Sequence, residues 1–281
     1  MLAKQKYRLL KDILRGYPSI LVALSGGVDS ALLLGAAIDA LGPGNVLAVN
    51  FHAAIHGAGE LTGVQELAAH LNCRLAVFED EGLLDNPAFC ANPPNRCYIC
   101  KRIILSQLQT LAGQQGLAAV AEGSNADDAG DYRPGMQAVR ELQVLSPLLD
   151  AGLTKQEIRQ LARELGLPVW NKPSSPCLCS RIPYGSPITV AKLRQIEAGE
   201  RFLHEAGFPE VRLRHHGSIA RIEIPAEQMA ELLRPPVLSK VQSCLRNLGF
   251  QYVTLDLHGL RSGSLDEILK EARNSGNHAP A

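Results

Sequence analysis

The sequence predicts an α/β chain in which a parallel sheet covered by helices is followed by a smaller α+β domain. Apolar strand-like runs alternate with helical segments through residues 1–170. A glycine- and serine-rich turn joins the first of those runs to a helix, and the alternation breaks in a stretch dense in Pro, Ser and Cys over residues 171–186. That stretch is read as a cysteine-containing loop and linker between the domains. Residues 187–273 follow a different order of elements, and residues 274–281 are expected to form a disordered tail.

Taken in order, MLAKQKYRLLKDILRG carries charges through its apolar positions and reads as an amphipathic surface helix, not a signal peptide. Residues 19–24 (SILVAL) fit a buried parallel strand. After Ser30 the pattern is helical as far as Leu41, where Gly42, Pro43 and Gly44 stop it. A strand over 46–51, a helix over 60–71 and a strand over 74–78 follow, then a long Pro- and Asn-rich loop over 80–96. Residues 99–115 read as helix and 117–122 as strand, while 123–144, crowded with Gly, Asp and Asn, reads as a functional loop. Thr154 and Glu157 form a capping box that opens a helix to Leu165. In the second domain a helix (189–206), two strands (211–215 and 219–224) around a tight turn at Gly217, helices (226–233 and 238–248) split by Pro235 and Pro236, a strand (252–256) and a last helix (264–271) are expected.

Composition narrows the function. Lys+Arg and Asp+Glu number 28 each, so the net charge is zero, which weighs against a large nucleic-acid footprint. No run approaches the ~20 apolar residues of a membrane span. The seven cysteines are an odd number. That argues against a closed disulfide framework, and with no signal peptide read at the N-terminus a reducing, cytoplasmic compartment is expected.

Ser25-Gly26-Gly27-Val28-Asp29-Ser30 follows an apolar strand and opens a helix. The glycines permit a turn that aims backbone N–H groups at an anion, Ser25 and Ser30 add hydroxyls, and the helix adds its dipole. Gly123-Ser124-Asn125-Ala126-Asp127-Asp128 also follows a strand. On its own it reads as a solvated turn. Beside a triphosphate its carboxylates suit Mg²⁺. Four cysteines fall in two pairs, Cys97/Cys100 and Cys177/Cys179. Zinc, an iron–sulfur cluster and a reactive thiolate all use such residues, although the one-residue spacing of the second pair supports zinc less well. Cys73, Cys90 and Cys244 read as small buried hydrophobes. Arg212, Arg214 and His215 lie on a predicted hairpin, where alternation puts both arginines on one face. Such a run is ordinarily a solvated charged face, but it also suits bidentate grip of a phosphate or carboxylate.

The Ser25–Ser30 loop resembles the pyrophosphate loop of the N-type ATP pyrophosphatases. Taken with the Arg96-Cys97-Tyr98-Ile99-Cys100-Lys101 run, the 122–128 segment, the 177–185 segment and the 212–223 segment in that order, the chain resembles the LarE family of ATP-dependent sulfur transferases. The resemblance implies an adenine nucleotide α-hydrolase-like domain (PP-loop fold), and the active site is expected between it and the smaller α+β domain. It implies ATP and Mg²⁺ as cofactors and a small mononucleotide, pyridinium-3,5-biscarboxylate mononucleotide, as substrate. It further implies conversion of that substrate's carboxylates to thiocarboxylates in nickel-pincer nucleotide synthesis, and a homo-oligomer with no nucleic-acid or membrane partner. By the same resemblance Ser25, Gly26, Gly27, Asp29, Ser30, Asn125 and Asp128 bind nucleotide, Cys177, Ser180 and Arg181 act in sulfur transfer, and Arg212, Arg214, His215 and Glu200 contact substrate. Single-cysteine members sacrifice the cysteine corresponding to Cys177. With Cys97 and Cys179 also present, the chain is similar to the subgroup whose three cysteines hold a 4Fe-4S cluster, Cys100 standing as an alternative to Cys97. The rival readings are a tRNA thiolase of the same superfamily, which would carry a basic surface, and a non-enzymatic nucleotide or metal sensor.

Overall fold

Helix α1 (Ala3–Arg15) lies over α2 (Val28–Leu41), and Leu10 and Leu14 are the α1 side chains that become fully buried. The computed structural model describes residues 2–57, 59–80, 82–130, 134–173, 176–261 and 267. Between the two helices, β1 (Ile20–Ala23) is almost wholly buried, as a continuous apolar run in a two-sided sheet must be. β2 (Val46–His52), α3 (Glu60–His70) and β3 (Arg74–Glu79) follow. Next come the short α4 (Pro87–Cys90), α5 (Arg96–Gln114) and β4 (Ala119–Ala121). The sheet order is β3-β2-β1-β4 and every pairing is parallel. The chain therefore runs outward from β1 to β3 and returns to pair β4 on the other side of β1. That reversal creates a switch point, where open α/β sheets form their ligand crevice at the carboxyl ends of the strands. α6 (Gly135–Glu141), α7 (Pro147–Asp150) and α8 (Lys155–Glu164) complete this part. The capping box at Thr154 and Glu157 forms as expected.

The chain separates into two compact units, Met1–Leu83 with Asn95–Ser175, and Leu84–Pro94 with Pro176–Ala281. In the second unit, α9 (Val190–Glu205) packs on the strands β5 (Arg212–His216) and β6 (Ile219–Glu223), which pair antiparallel around Gly217 (φ 66°). The short α10 (Met229–Leu232) and then α11 (Pro235–Asn247) precede β7 (Tyr252–Leu255), which pairs parallel with β6. Leu203, Phe208, Leu213, Ile222, Leu245 and Phe250 form the core of this unit.

The structure differs from the sequence expectation in local ways. Part of the expected 80–96 loop folds as α4, capped by Asn86 Oδ1 accepting from Phe89 N–H at 3.1 Å. Residues 84–94 belong to the second unit, where the Asn92 amide donates to the carbonyls of Pro183 (2.8 Å) and Ser186 (3.0 Å). The expected 123–144 loop contains α6. Two helices flank Pro235 and Pro236 as expected, but the second begins on them rather than at 238, because in the first turn of α11 a missing N–H costs nothing. The expected helix at 264–271, Glu267 aside, and the tail at 274–281 lie outside the described residues. Among the described residues no helix is long and apolar enough to cross a membrane.

Gly199 lets α9 approach β5 closely. A Cβ there would run into the Leu213 side chain and sit 3.0 Å from Leu245 Cδ2. Gly199→Ala is expected to destabilise the protein by about 2 kcal/mol through overpacking, read as a lower urea midpoint with an unchanged slope.

Candidate active site

At the end of β1 the chain turns through Gly26 (φ 75°), a left-handed conformation that favours glycine. The turn is held by its serines. Ser25 N–H donates to Ser30 Oγ at 3.2 Å, the two hydroxyls lie 3.0 Å apart, and Ser30 Oγ donates to Gly27 C=O at 3.1 Å. The start of α2 is thereby left facing the switch point. Asp29, in the first turn of α2, pairs with the Lys155 ammonium and accepts from Asn125 Nδ2 at 3.2 Å.

β4 delivers the second half of this site. Asn125 N–H donates to Asp128 Oδ2 at 2.9 Å, and Lys155 N–H donates to Asp127 Oδ2 at 2.8 Å. The first unit thus brings together the expected nucleotide residues Ser25, Gly26, Gly27, Asp29, Ser30, Asn125 and Asp128. Gly123 makes this possible. A Cβ on it would lie 3.0 Å from the Ser30 nitrogen, so the two loops meet backbone to backbone.

Sequence reasoning missed the buried network beneath. Glu122 accepts from Ser146 Oγ (2.6 Å), Ser124 Oγ (2.8 Å), Ser124 N–H (3.1 Å) and Lys101 Nζ (2.8 Å). Burial alone would raise this carboxyl, but the Lys101 ammonium and the hydroxyl donors outweigh it and hold the pKa below the ordinary value. Lys101 stands one turn beyond Cys97 on α5, on the same helix face. No local motif announces the network, because its members come from three separate segments.

In the second unit Arg181 is buried and bidentate to Glu200, with Nε at 2.8 Å from Oε1 and Nη2 at 3.0 Å from Oε2. Its Nη1 donates to the carbonyls of Pro176 (2.7 Å) and Cys177 (3.3 Å) and to Ser180 Oγ (2.9 Å). Arg181 is therefore a strut that shapes the backbone carrying Cys177. Glu200 Oε1 also accepts from Leu213 N–H at 2.8 Å, which ties the strut to β5. Arg214 is buried, donating to Ser180 C=O and to Glu223 Oε2 (2.7 Å), while Arg221 holds the other oxygen of Glu223 at 3.0 Å. Arg212 and Arg214 share a face of β5, as alternation requires. Burial first, then Arg214 and Arg181, push the Arg212 pKa down. His215 points the other way. Its ring packs edge-to-face on Phe250 at 5.2 Å and meets Gln195 Oε1 at 3.1 Å, and burial lowers its pKa.

Cys97 is exposed and Cys100 half-buried in the first turn of α5, within the first unit. Cys177 is half-buried and Cys179 fully buried at the short turn Leu178–Arg181, within the second. Among the described residues no three His, Cys, Asp or Glu side chains gather as a metal-binding group. Burial raises the thiol pKa of Cys73, Cys90 and Cys244, which suits inert packing.

A parallel sheet with a serine–glycine phosphate loop and an acidic turn meeting at its switch point defines an ATP-using enzyme of the PP-loop class. Comparisons agree. A family model described as thiamine biosynthesis protein (ThiI) matches residues 18–204. The chain is 41% identical over 249 residues to an uncharacterized protein of Synechocystis sp., covering 89% of this chain and 92% of that one. It is 39% identical over 264 residues to the pyridinium-3,5-bisthiocarboxylic acid mononucleotide synthase of Lactiplantibacillus plantarum, covering 94% of this chain and 93% of that one. To an uncharacterized protein of Methanocaldococcus jannaschii it is 27% identical over 243 residues, 86% of this chain and 91% of that one. The chain belongs to the LarE family of ATP-dependent sulfur transferases.

Two outcomes are expected here. Glu122→Gln removes a carboxylate whose stabilisation is fully present above the ordinary glutamate pKa of 4.5 and is lost as pH falls through its lowered native value. The variant should lose about 2 kcal/mol at neutral pH and show a shallower fall in stability on acidification, both measured by urea denaturation across pH. Gly123→Ala should weaken ATP binding while leaving the far-ultraviolet circular dichroism unchanged, because its methyl group displaces the start of α2.

Proposed function

We propose that this enzyme adenylates the carboxylates of pyridinium-3,5-biscarboxylate mononucleotide and converts them to thiocarboxylates, a step of nickel-pincer nucleotide synthesis. The observation that carries the reading is the meeting of the Ser25–Ser30 loop with the Asn125–Asp128 turn in a chain similar end to end to the Lactiplantibacillus plantarum synthase. A substrate carboxylate oxygen attacks the α-phosphorus of ATP, the α–β bridging oxygen leaves with pyrophosphate, and an acyl-adenylate results. The loop amides, the serine hydroxyls and the α2 dipole stabilise the departing anion. Asp29 and Asp128 would be the carboxylates to hold Mg²⁺, which would serve to neutralise the phosphate oxygens. Arg212, only partly buried on β5, offers a cation for the substrate's own phosphate or free carboxylate, with Arg214 held behind it by Glu223.

Sulfur transfer then displaces AMP. With Cys177 as donor, its thiolate attacks the acyl carbon, AMP leaves with the bonding pair, and a thioester forms. Loss of the Cys177 α-proton breaks the Cβ–S bond, releasing thiocarboxylate and leaving dehydroalanine. Arg181, through the Pro176 and Cys177 carbonyls, fixes the backbone on which this thiol rides. A 4Fe-4S cluster, where present, would supply a terminal sulfide as the nucleophile and spare the cysteine. Cys97, Cys177 and Cys179 are the thiols whose chemistry would suit it. The zero net charge supports a small anionic substrate over tRNA. The reading includes a cytoplasmic homo-oligomer.

Incubation with ATP, Mg²⁺ and substrate is expected to release pyrophosphate and AMP in equal amounts, and an absence of substrate-dependent pyrophosphate overturns the reading. Cys177→Ala should retain pyrophosphate release and lose thiocarboxylate formation. After turnover, intact-mass analysis separates the sulfur routes. A Cys177 lighter by the elements of H₂S marks sacrifice, whereas an intact Cys177 with stoichiometric iron and sulfide marks the cluster. Salt-sensitive tRNA binding would instead favour the thiolase.

A further inference from the structure

The phosphate loop carries no cation of its own. From Ser25 to Ser30 its one charged side chain is Asp29, an anion already paired with Lys155. Pyrophosphate is multiply charged, and neutral amides and hydroxyls alone leave much of that charge unbalanced. The structure supplies a cation from 146 residues further along the chain, where Lys172 Nζ donates to Gly26 C=O at 3.1 Å.

This approach is built into the fold of the first unit. Lys172 lies in the turn after α8, which closes through Lys172 N–H donating to Val169 C=O at 3.1 Å. Arg159, on α8, clamps the turn by donating from Nη1 to Trp170 C=O (3.3 Å) and from Nη2 to Lys172 C=O (3.0 Å). Arg163 stacks over the Trp170 ring at 5.1 Å from its centroid. Gly26 completes the fit, since a Cβ there would lie 2.9 Å from Val64 Cγ2 and 3.7 Å from the Lys172 ammonium. Among the described residues Lys172 makes no ion pair, whereas Lys155 and Lys101 each face a carboxylate. An ammonium has three donors. With one on the Gly26 carbonyl, two remain for an anion seated in the loop, and among the described residues no carboxylate pairs with it.

We propose that Lys172 is the cation of the phosphate loop and that Arg159 is its positioning residue. The inference rests on the phosphate-loop reading above. As the bond from α-phosphorus to the bridging oxygen breaks, its electron pair passes to that oxygen, the carboxylate oxygen takes its place on phosphorus, and Lys172 balances the charge gathering on pyrophosphate.

The test is direct binding of inorganic pyrophosphate and of AMP to the full chain by calorimetry. Lys172→Met is expected to weaken pyrophosphate about tenfold or more, with AMP affinity held within about twofold. Lys172→Arg, which keeps the charge, should recover most of the loss and also shows that the turn still folds. Arg159→Ala should weaken pyrophosphate in the wild-type background but have little further effect in Lys172→Met, the non-additivity of a residue that acts through Lys172. Pyrophosphate affinity unchanged in Lys172→Met, in a wild type that binds both ATP and pyrophosphate, overturns this inference alone. A wild type that binds neither overturns the phosphate-loop reading with it.

Discussion

The pairing of β4 against β1 is the constraint on which the nucleotide half of the site depends. The register of Ile20 on Ala119 and Val22 on Ala121 brings the two strand ends level, so the loops that follow them leave the sheet side by side. At Gly123 they touch with no side chain between them. The hydrogen bond from Asn125 to Asp29 follows from that contact, and so does the location of the start of α2. A further strand-like contact between Ala121 and Leu145 carries Ser146 to Glu122. The polar network beneath the site is thus fixed by the same edge of the sheet.

Both units rely on buried glutamates, with different consequences. Glu122 is satisfied by two hydroxyls, an amide and one lysine, so its burial is compensated mostly by oriented dipoles. Glu200 and Glu223 are instead matched to arginines, Arg181 to the first and both Arg214 and Arg221 to the second. A buried ion pair is weak evidence for stability, because desolvation offsets the attraction. Its effect here is geometric. Arg181 directs its donors to the Cys177 turn as well as to Glu200, and Arg214 reaches back to Ser180 C=O, so the sulfur-bearing turn is tied to β5 at two points.

Most elements were legible because their signals are local. The apolar run at β1, the capping box at Thr154 and the turn at Gly217 each depend on neighbours within a few residues. Elements were misread where a long-range partner decides the outcome. Asn- and Pro-rich composition at 80–96 signals a loop, yet Phe89 is buried and Asn92 satisfies three carbonyls of residues 182–186. Pro235 and Pro236 read as the gap before a helix at 238, yet α11 begins on them. His215 sits among arginines in the sequence, but a strand alternates its faces, so it joins Phe250 in the core.

The sequence by itself determined the class of chemistry. A serine–glycine loop between strand and helix, an acidic turn after a later strand and paired cysteines are short-range patterns, and each carries its chemistry within a few residues. Only the tertiary structure decided which distant groups serve those patterns. Lys101 and Ser146 on Glu122, Lys155 on Asp29, and Lys172 on Gly26 come from segments whose proximity is set by strand order and helix packing. A charge acts through space over a few ångströms, and no spacing along a chain records which lysine the fold will place there.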